Sequence, residues 1–275
     1  MTDATGGAGE RLDAALATRG LARSRTHAAR LLAAGVVTVN GRGVVKASVR
    51  VGPDDELLVA RLDHYVSRAA HKLLGGLDAF GVDPTGRVGL DVGASTGGFT
   101  QVLLERGARE VVALDVGHGQ LATPVRLDPR VTMLEGVNAR YLTREQLLSL
   151  APVAAEVDLV VADLSFISLT MVLPALVGTL GDAVAGADFV VLVKPQFEVG
   201  RQGVREGLVL DPRLRAEALT GVLWAAHDLG LGTAGVISSP VVGSAGNQEY
   251  VVHLSARTGT NPTQWLDTAD EVTGA

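Results

Sequence analysis

The stretch from residue 88 to residue 115 limits this chain more than any other. Val88-Gly89-Leu90-Asp91-Val92 is a short apolar run that ends in the turn Gly93-Ala94-Ser95-Thr96-Gly97-Gly98, and a helical pattern follows through Phe99 to Arg106. A second apolar run, Glu110-Val111-Val112-Ala113-Leu114-Asp115, closes the unit. Neighbouring strands joined by a helix pair in parallel, with a right-handed crossover. The alternation continues with strand patterns at 131–134, 158–162, 189–193, 233–237 and 250–254, and with a long helical pattern at 213–229. It predicts an α/β domain with a mostly parallel, seven-stranded, Rossmann-like sheet covered on both faces. Ligands of such sheets sit at the carboxyl ends of the strands.

The turn carries the most specific chemistry. Glycines after a buried strand let the backbone approach a cofactor, and Asp115 at the end of the next strand is placed to accept from ribose hydroxyls. Nicotinamide dinucleotides and S-adenosylmethionine both fit that arrangement. Dinucleotide proteins favour Gly-x-Gly-x-x-Gly, whereas this chain offers Asp-x-Gly-Ala-x-x-Gly-Gly from Asp91 to Gly98. Asp91 is placed to accept from the amino end of a methionine moiety, which favours S-adenosylmethionine.

Ahead of this domain the charge changes sign. The formal net charge is −6, yet residues 11–50 contain eight basic residues and one acidic residue, Asp13. Seven net positive charges there leave about −13 for the rest of the chain. A basic module joined to an acidic body points to an RNA partner. Leu12, Ala15 and Leu16 share a helical face that Gly20 ends, and Ser24 caps a second helix through Ala28, Leu31 and Leu32 to Gly35. Val36-Val37-Thr38-Val39 reads as a strand, Asn40-Gly41 as a hairpin turn, and Val44-Val45 and Leu57-Leu58-Val59 as further strands. Arg23, Arg25, Arg30, Arg42 and Lys46 would present donors to phosphates.

These residues resemble the alpha-L RNA-binding module of a small-subunit ribosomal protein and several RNA-modifying enzymes. The resemblance rests on Arg11-Leu12-Asp13, Gly20-Leu21-Ala22-Arg23-Ser24-Arg25, Ala28-Ala29-Arg30-Leu31, and Gly35-Val36-Val37-Thr38-Val39-Asn40-Gly41 with Lys46. It adds Arg11 to the RNA-binding set. Arg61-Leu62-Asp63 resembles the catalytic motif of pseudouridine synthases, but the glycines and threonine of that motif are missing.

Composition excludes other chemistries. The chain has no cysteine, so disulfides, thiolate metal sites and thiol nucleophiles are ruled out. Its six histidines are scattered and predict no metal site. The long uncharged run at 164–181 is broken by Ser165, Ser168, Thr170 and Pro174, and reads as a strand end, a turn and a buried helix rather than a membrane span. No secretory pattern precedes Arg11. The expected protein is cytoplasmic, without a membrane role, and monomeric.

Residues 64–255 closely resemble the TlyA-type members of the FtsJ-like ribose methyltransferases. The matching stretches include Tyr65-Val66-Ser67-Arg68 with His71-Lys72-Leu73, the turn Asp91 to Thr100, Asp115-Val116-Gly117-His118-Gly119-Gln120-Leu121 and Asn138-Ala139-Arg140. Further matches are Ala162-Asp163-Leu164-Ser165-Phe166-Ile167-Ser168-Leu169, Val193-Lys194-Pro195-Gln196-Phe197-Glu198, Ser238 with Pro240, and Gly246-Asn247 with Glu249-Tyr250. The chain departs from relatives at Ala69, where many have glycine, at Asp63-His64 before Tyr65, and in lacking basic residues ahead of the first helix.

The resemblance implies a Lys-Asp-Lys-Glu tetrad at Lys72, Asp163, Lys194 and Glu249. It implies S-adenosylmethionine contacts at Asp91, Gly93, Ala94, Ser95, Gly97, Gly98, Phe99, Asp115, Asn138 and Asp163. Arg68 and Phe197 join the expected RNA contacts, with Phe197 placed to stack on a base. The implied organisation is a disordered tail at 1–9, an RNA-binding domain at 10–60 and a linker at 61–66. A methyltransferase domain at 67–256 and a mobile tail or short helix at 257–275 complete it.

Only three lysines stand against 21 arginines, and two of the three fall in the tetrad. Arginine cannot serve as a base, whereas a lysine in a crowded site can shed its proton. Lys194 is therefore the expected base for a ribose 2′-hydroxyl, and Lys72 would help it lose its proton and hold the hydroxyl or a phosphate. Asp163 and Glu249 would fix the ammonium groups. The expected activity is 2′-O-methylation of cytidine ribose in small-subunit ribosomal RNA, with large-subunit RNA as a further candidate, which the family links to capreomycin susceptibility. Its rivals are a non-catalytic ribosome-assembly factor and a haemolysin.

Overall fold

The seven apolar runs form one sheet. The structure, a computed structural model, describes residues 9–33, 35–59, 64–200, 203–243 and 245–275. The expected tail up to residue 8 and Arg61-Leu62-Asp63 of the expected linker lie outside these residues. The chain divides into two compact units: the residues up to His64 with Val241–Gly246, and Tyr65–Pro240 with Asn247–Ala275.

In the small unit, strand β1 (Glu10–Arg11) leads into helix α1 (Leu12–Thr18), then helix α2 (Arg25–Ala33). Strands β2 (Val37–Val39), β3 (Arg42–Gly43), β4 (Arg50–Val51) and β5 (Leu57–Val59) follow. β2 pairs antiparallel with β3 and β5, and β1 pairs with β4. Leu12, Leu16, Ala28, Leu32 and Val37 form its core. The strand expected at Val44-Val45 lies instead at Arg42–Gly43. Asn40 and Gly41 have φ of 50° and 75°, the left-handed pair of a two-residue hairpin turn. That turn sets Arg42 directly opposite Val39 and fixes the pairing before the apolar residues are reached.

The large unit opens with helix α3 (Ala70–Phe80) and strand β6 (Val88–Val92). Then come α4 (Gly98–Glu105), β7 (Glu110–Asp115), α5 (Thr123–Arg126), β8 (Val131–Glu135), α6 (Arg144–Leu150) and β9 (Val157–Ala162). It closes with α7 (Leu173–Leu180), β10 (Asp188–Val193), α8 (Pro195–Glu198), α9 (Pro212–Asp228), β11 (Gly232–Ser238), β12 (Tyr250–Ser255) and α10 (Leu266–Thr273). The sheet order is β11-β12-β10-β9-β6-β7-β8. β12 runs antiparallel to both of its neighbours, and the other pairs are parallel. The chain builds outward from β6 to β8, then returns to β9 on the other side of β6, which places the switch point of the sheet between β6 and β9.

Alternate residues of each strand enter different cores. Leu90, Val92, Val160, Val191 and Val252 face one side, while Leu159, Val161, Val190, Leu192 and Val251 face the other with Leu73, Leu77 and Leu103 from α3 and α4. Each such buried side chain stabilises the fold by roughly 1.5–3 kcal/mol. Gly76 lets α3 approach the sheet, since a Cβ there would come within 2.7 Å of the Val251 side chain. In the uncharged run the strand ends before it, at Ala162. A loop carries the chain from Asp163 to Ser168, and a single helical turn at Leu169–Met171 precedes α7. No helix among the described residues is long and apolar enough to cross a membrane.

Candidate functional site

Five elements deliver polar side chains to one end of the large sheet. β6 runs into the glycine turn, β9 into Asp163, and β10 into Lys194. β12, being antiparallel, begins there, one residue after Glu249, and α3 contributes Lys72 from its first turn.

Lys72, Lys194 and Glu249 are 5%, 7% and 2% exposed. The Lys72 ammonium donates to Glu249 Oε2 at 2.6 Å and to Asp163 Oδ2 at 3.5 Å. Lys194 Nζ lies 2.6 Å from Asp163 Oδ1 and donates to Ser165 Oγ at 2.9 Å. Asp163 therefore stands between the two ammonium groups, one oxygen on each. Burial pushes its carboxyl up, but Lys72 and Lys194 outweigh burial and hold it below the ordinary carboxylate value. The four groups come from positions up to 177 residues apart, and their formal charges cancel.

Beside them opens a cleft of about 520 Å³, a size suited to a small-molecule ligand. Of the residues expected to hold a cofactor, Gly93, Ser95, Asp115, Asn138 and Asp163 line it. Gly93 has φ of 85°, and a Cβ there would come within 3.0 Å of the Asp163 carbonyl oxygen, so the turn and the end of β9 meet only if this residue is glycine. Ser95 holds φ of 48°, a conformation that costs a side-chain-bearing residue energy. Its N–H donates to Asp115 Oδ2 at 2.8 Å, while Gly117 N–H donates to Oδ1 at 2.7 Å. Asp115 is thereby fixed in place, with lone pairs left for hydroxyl donors.

Asp91 lies beneath the turn, fully buried. Thr100 Oγ1 donates to its Oδ2 at 2.6 Å, and Oδ1 has no hydrogen-bond partner among the described residues. Burial, with the Asp163 and Asp115 charges adding to it, pushes its carboxyl up to about 7 against the pull of Thr100. A buried acceptor without a donor fits an ammonium group entering the cradle. The residues present therefore suit an aminocarboxylate nucleoside such as S-adenosylmethionine.

Other expected cofactor residues lie off the cleft wall. Gly97 and Gly98 start α4, where a Cβ on Gly97 would strike Leu121. Ala94 packs with Ala113, Leu121 and Val125. Phe99 is 3% exposed and packs in the core with residues of α3 and α4, because the first turn of α4 faces the sheet.

Sequence reasoning assigned no role to several residues that shape the site. Leu164, Ile167 and Val172 supply apolar wall, and Gln120 reaches Ser95 Oγ. Phe166 is 92% exposed at φ of 66°, with its ring 5.5 Å from that of Phe197. Glu198 accepts from Ser168 Oγ at 2.5 Å and from Leu169 N–H at 2.8 Å, pinning the loop that carries Ser165 and Phe166. Burial raises its carboxyl pKa despite those bonds. Only the strained backbone of Phe166 and the loop clamp of Glu198 mark these residues, and neither is visible in a linear sequence.

In the small unit, Arg23, Arg30, Arg42 and Lys46 are exposed, while Arg11 and Arg25 both bond Asp13. Arg19 and Arg50 hold backbone carbonyls of Asp55, Gly52 and Gly9. Arg68, in the large unit, has a buried Nη1 without a hydrogen-bond partner among the described residues.

Sequence profiles agree with this division. The FtsJ-like methyltransferase family matches residues 65–256, and the S4 domain matches residues 10–57. A Mycobacterium tuberculosis protein named 16S/23S rRNA (cytidine-2′-O)-methyltransferase TlyA is 52% identical over 251 residues, covering 90% of each chain. Hemolysin A of Brachyspira hyodysenteriae is 37% identical, covering 89% of this chain and 99% of its own. A solved structure of a hemolysin candidate from Streptococcus thermophilus superposes with a TM-score of 0.70 at 34% identity, over 97% of this chain and 98% of that one.

Proposed function

This chain belongs to the FtsJ-like methyltransferase family, and from that premise we propose that it methylates the 2′-oxygen of cytidine ribose in ribosomal RNA, using S-adenosylmethionine. The observation that carries the reading is Asp163 held between Lys72 and Lys194, with Glu249 behind Lys72, at the rim of a cleft built by Gly93, Ser95 and Asp115. The high identity to the mycobacterial TlyA protein over nearly the whole chain supports the ribosomal RNA substrate.

When bound, S-adenosylmethionine supplies an electrophilic sulfonium methyl. Asp91 Oδ1 would accept from its amino group, Asp115 from its ribose hydroxyls, and Gly93, Ser95 and Asn138 would line its path. In its neutral amine form, with one proton already released to solvent, Lys194 would orient the target 2′-hydroxyl and take its proton at Nζ. Asp163 and Ser165 both anchor the Lys194 nitrogen. Lys72, fixed by Glu249, holds the hydroxyl or a neighbouring phosphate. Phe197, with Phe166 beside it, offers an aromatic face to an unstacked base.

Residues 10–60 would dock the RNA through Arg11, Arg23, Arg25, Arg30, Arg42 and Lys46, with Arg68 adding a contact from the domain at 67–256. The substrate on this reading is the small ribosomal subunit, with the large one as a further candidate, met in the cytoplasm by a monomer.

Transfer of labelled methyl to isolated small and large ribosomal subunits lacking the modification tests this reading. The expected result is label in an alkali-resistant dinucleotide from wild type and none from Lys194→Ala. Cofactor binding without transfer to either subunit would overturn it in favour of a non-catalytic assembly factor.

A further inference from the structure

Asp13 is the lone acidic residue among the eight basic ones between Arg11 and Arg50. A carboxylate in an RNA-facing module opposes phosphate binding, so its presence calls for a physical reason. Its surroundings supply one. Asp13 sits in the first turn of α1, where Leu12 N–H bonds Val49 O at 2.8 Å and Asp13 N–H bonds Ala47 O at 3.3 Å. The main chain that carries the carboxylate is thus fixed.

Four donors converge on it. Arg11 donates through Nε to Oδ1 at 3.0 Å and through Nη2 to Oδ2 at 3.4 Å. Arg25 donates through Nε at 3.2 Å and Nη2 at 2.8 Å, both to Oδ2. Each guanidinium commits two of its five N–H donors and keeps the other three. The side chain of Asp13 is 9% exposed, against 42% for Arg11 and 61% for Arg25. The acid is covered while the two cations it holds face solvent. The Arg11 and Arg25 hydrogen bonds keep the Asp13 carboxyl down to about 2, so it stays ionised at neutral pH.

We propose that Asp13 is the positioning residue of a two-arginine clamp for the RNA phosphodiester backbone, holding Arg11 and Arg25 side by side with their free donors outward. This rests on the RNA-docking reading above. A long flexible arginine loses rotamer freedom when it grips a phosphate, and Asp13 imposes that loss during folding rather than during binding. One negative charge is the accompanying cost to affinity, and the geometry implies that fixed orientation outweighs it.

Simple electrostatics predicts the opposite sign, which makes the test sharp. Removing a negative charge from a basic module should tighten RNA binding. The clamp predicts that Asp13→Asn in the full chain weakens binding to isolated ribosomal subunits about tenfold, although net charge rises by one. The slope of log affinity against log salt should fall by about one, as for a lost phosphate contact. In an Arg11→Ala/Arg25→Ala background, Asp13→Asn should have no further effect. Asp13→Glu, which keeps the charge but displaces it by a methylene, should lose affinity while keeping the wild-type melting temperature, and so covers a failure of the asparagine variant to fold. Wild-type or tighter binding by folded Asp13→Asn or Asp13→Glu overturns the clamp. If Arg23→Ala and Arg30→Ala weaken binding while the Asp13 variants do not, only the clamp fails. If wild type binds neither subunit, the docking reading fails with it.

Discussion

The two units solve a shared problem in opposite ways. In each, one aspartate holds two cations: Asp163 holds Lys72 and Lys194, and Asp13 holds Arg11 and Arg25. The first cluster is buried and assembled from distant parts of the chain, with Lys72 paired across 91 and 177 residues. The second is partly exposed and local, with no bonded pair more than 12 residues apart. Lysine can take up and release a proton, so a buried cluster built on it suits chemistry. Arginine keeps its charge under all ordinary conditions and offers a planar fork, so an exposed cluster built on it suits holding phosphate. On the proposed reading, which cation is used, and how deeply, separates a reacting site from a gripping one.

The contrast is broken most directly at Lys194. Lys194→Ala is expected to lower kcat on the order of 10³-fold, because proton removal and orientation go together. S-adenosylmethionine affinity, read by calorimetry, should move little, since Lys194 does not line the cleft. An equal fall in cofactor affinity would show that this lysine belongs to the binding wall.

Stability offers the next test. Lys72→Ala leaves Glu249, 2% exposed, without its ammonium partner, and breaking a buried pair this way costs about 3–5 kcal/mol. Arg25→Ala removes a partner that is 61% exposed and should cost at most about 1 kcal/mol. Chemical denaturation of the two variants measures the difference. Similar costs would mean that the buried cluster relaxes or admits water.

These two clusters also show what the sequence made legible. The sheet was readable because alternating apolar runs and turn residues act locally, and the strand patterns fall within one residue of β8 through β12 at nearly every end. The grouping of Lys72, Asp163, Lys194 and Glu249 was readable only through family motifs, since nothing local to any one residue marks it as a partner of the others. The turn at Asn40-Gly41 was legible, but the strand after it falls at Arg42–Gly43 rather than at the apolar pair Val44-Val45, because a two-residue turn pairs Val39 with the residue that follows it. The burial of Phe99 was not legible for a related reason: a motif position names a residue but not the face its helix turns to the sheet. The Asp13 clamp was hidden by treating each charge singly, when one acid within 12 residues of two arginines is a unit.

A third prediction concerns Asp91. With its carboxyl pushed up to about 7, it is increasingly neutral as pH falls through that value. A neutral carboxyl holds an ammonium group poorly, so S-adenosylmethionine affinity should be highest above pH 7 and fall by about tenfold per unit below it. Asp91→Asn should bind weakly at every pH, with a flattened profile. A wild-type profile that stays level between pH 5.5 and 8 would mean that Asp91 does not meet the amino group.

The smallest effect comes from exchanging the cation type in the small unit. Arg25→Lys keeps the charge and removes the fork, so one ammonium must replace the two N–H donors that Arg25 gives Asp13. Subunit affinity should fall only severalfold, with stability within about 0.5 kcal/mol of wild type, as for an exposed pair. The reciprocal change, Lys194→Arg, also keeps the charge, yet it should abolish turnover because a guanidinium does not give up its proton. If both exchanges were equally mild, charge alone would explain both clusters. A mild loss in the small unit beside a complete one in the large unit would show that the exposed cluster works by geometry and the buried one by proton transfer.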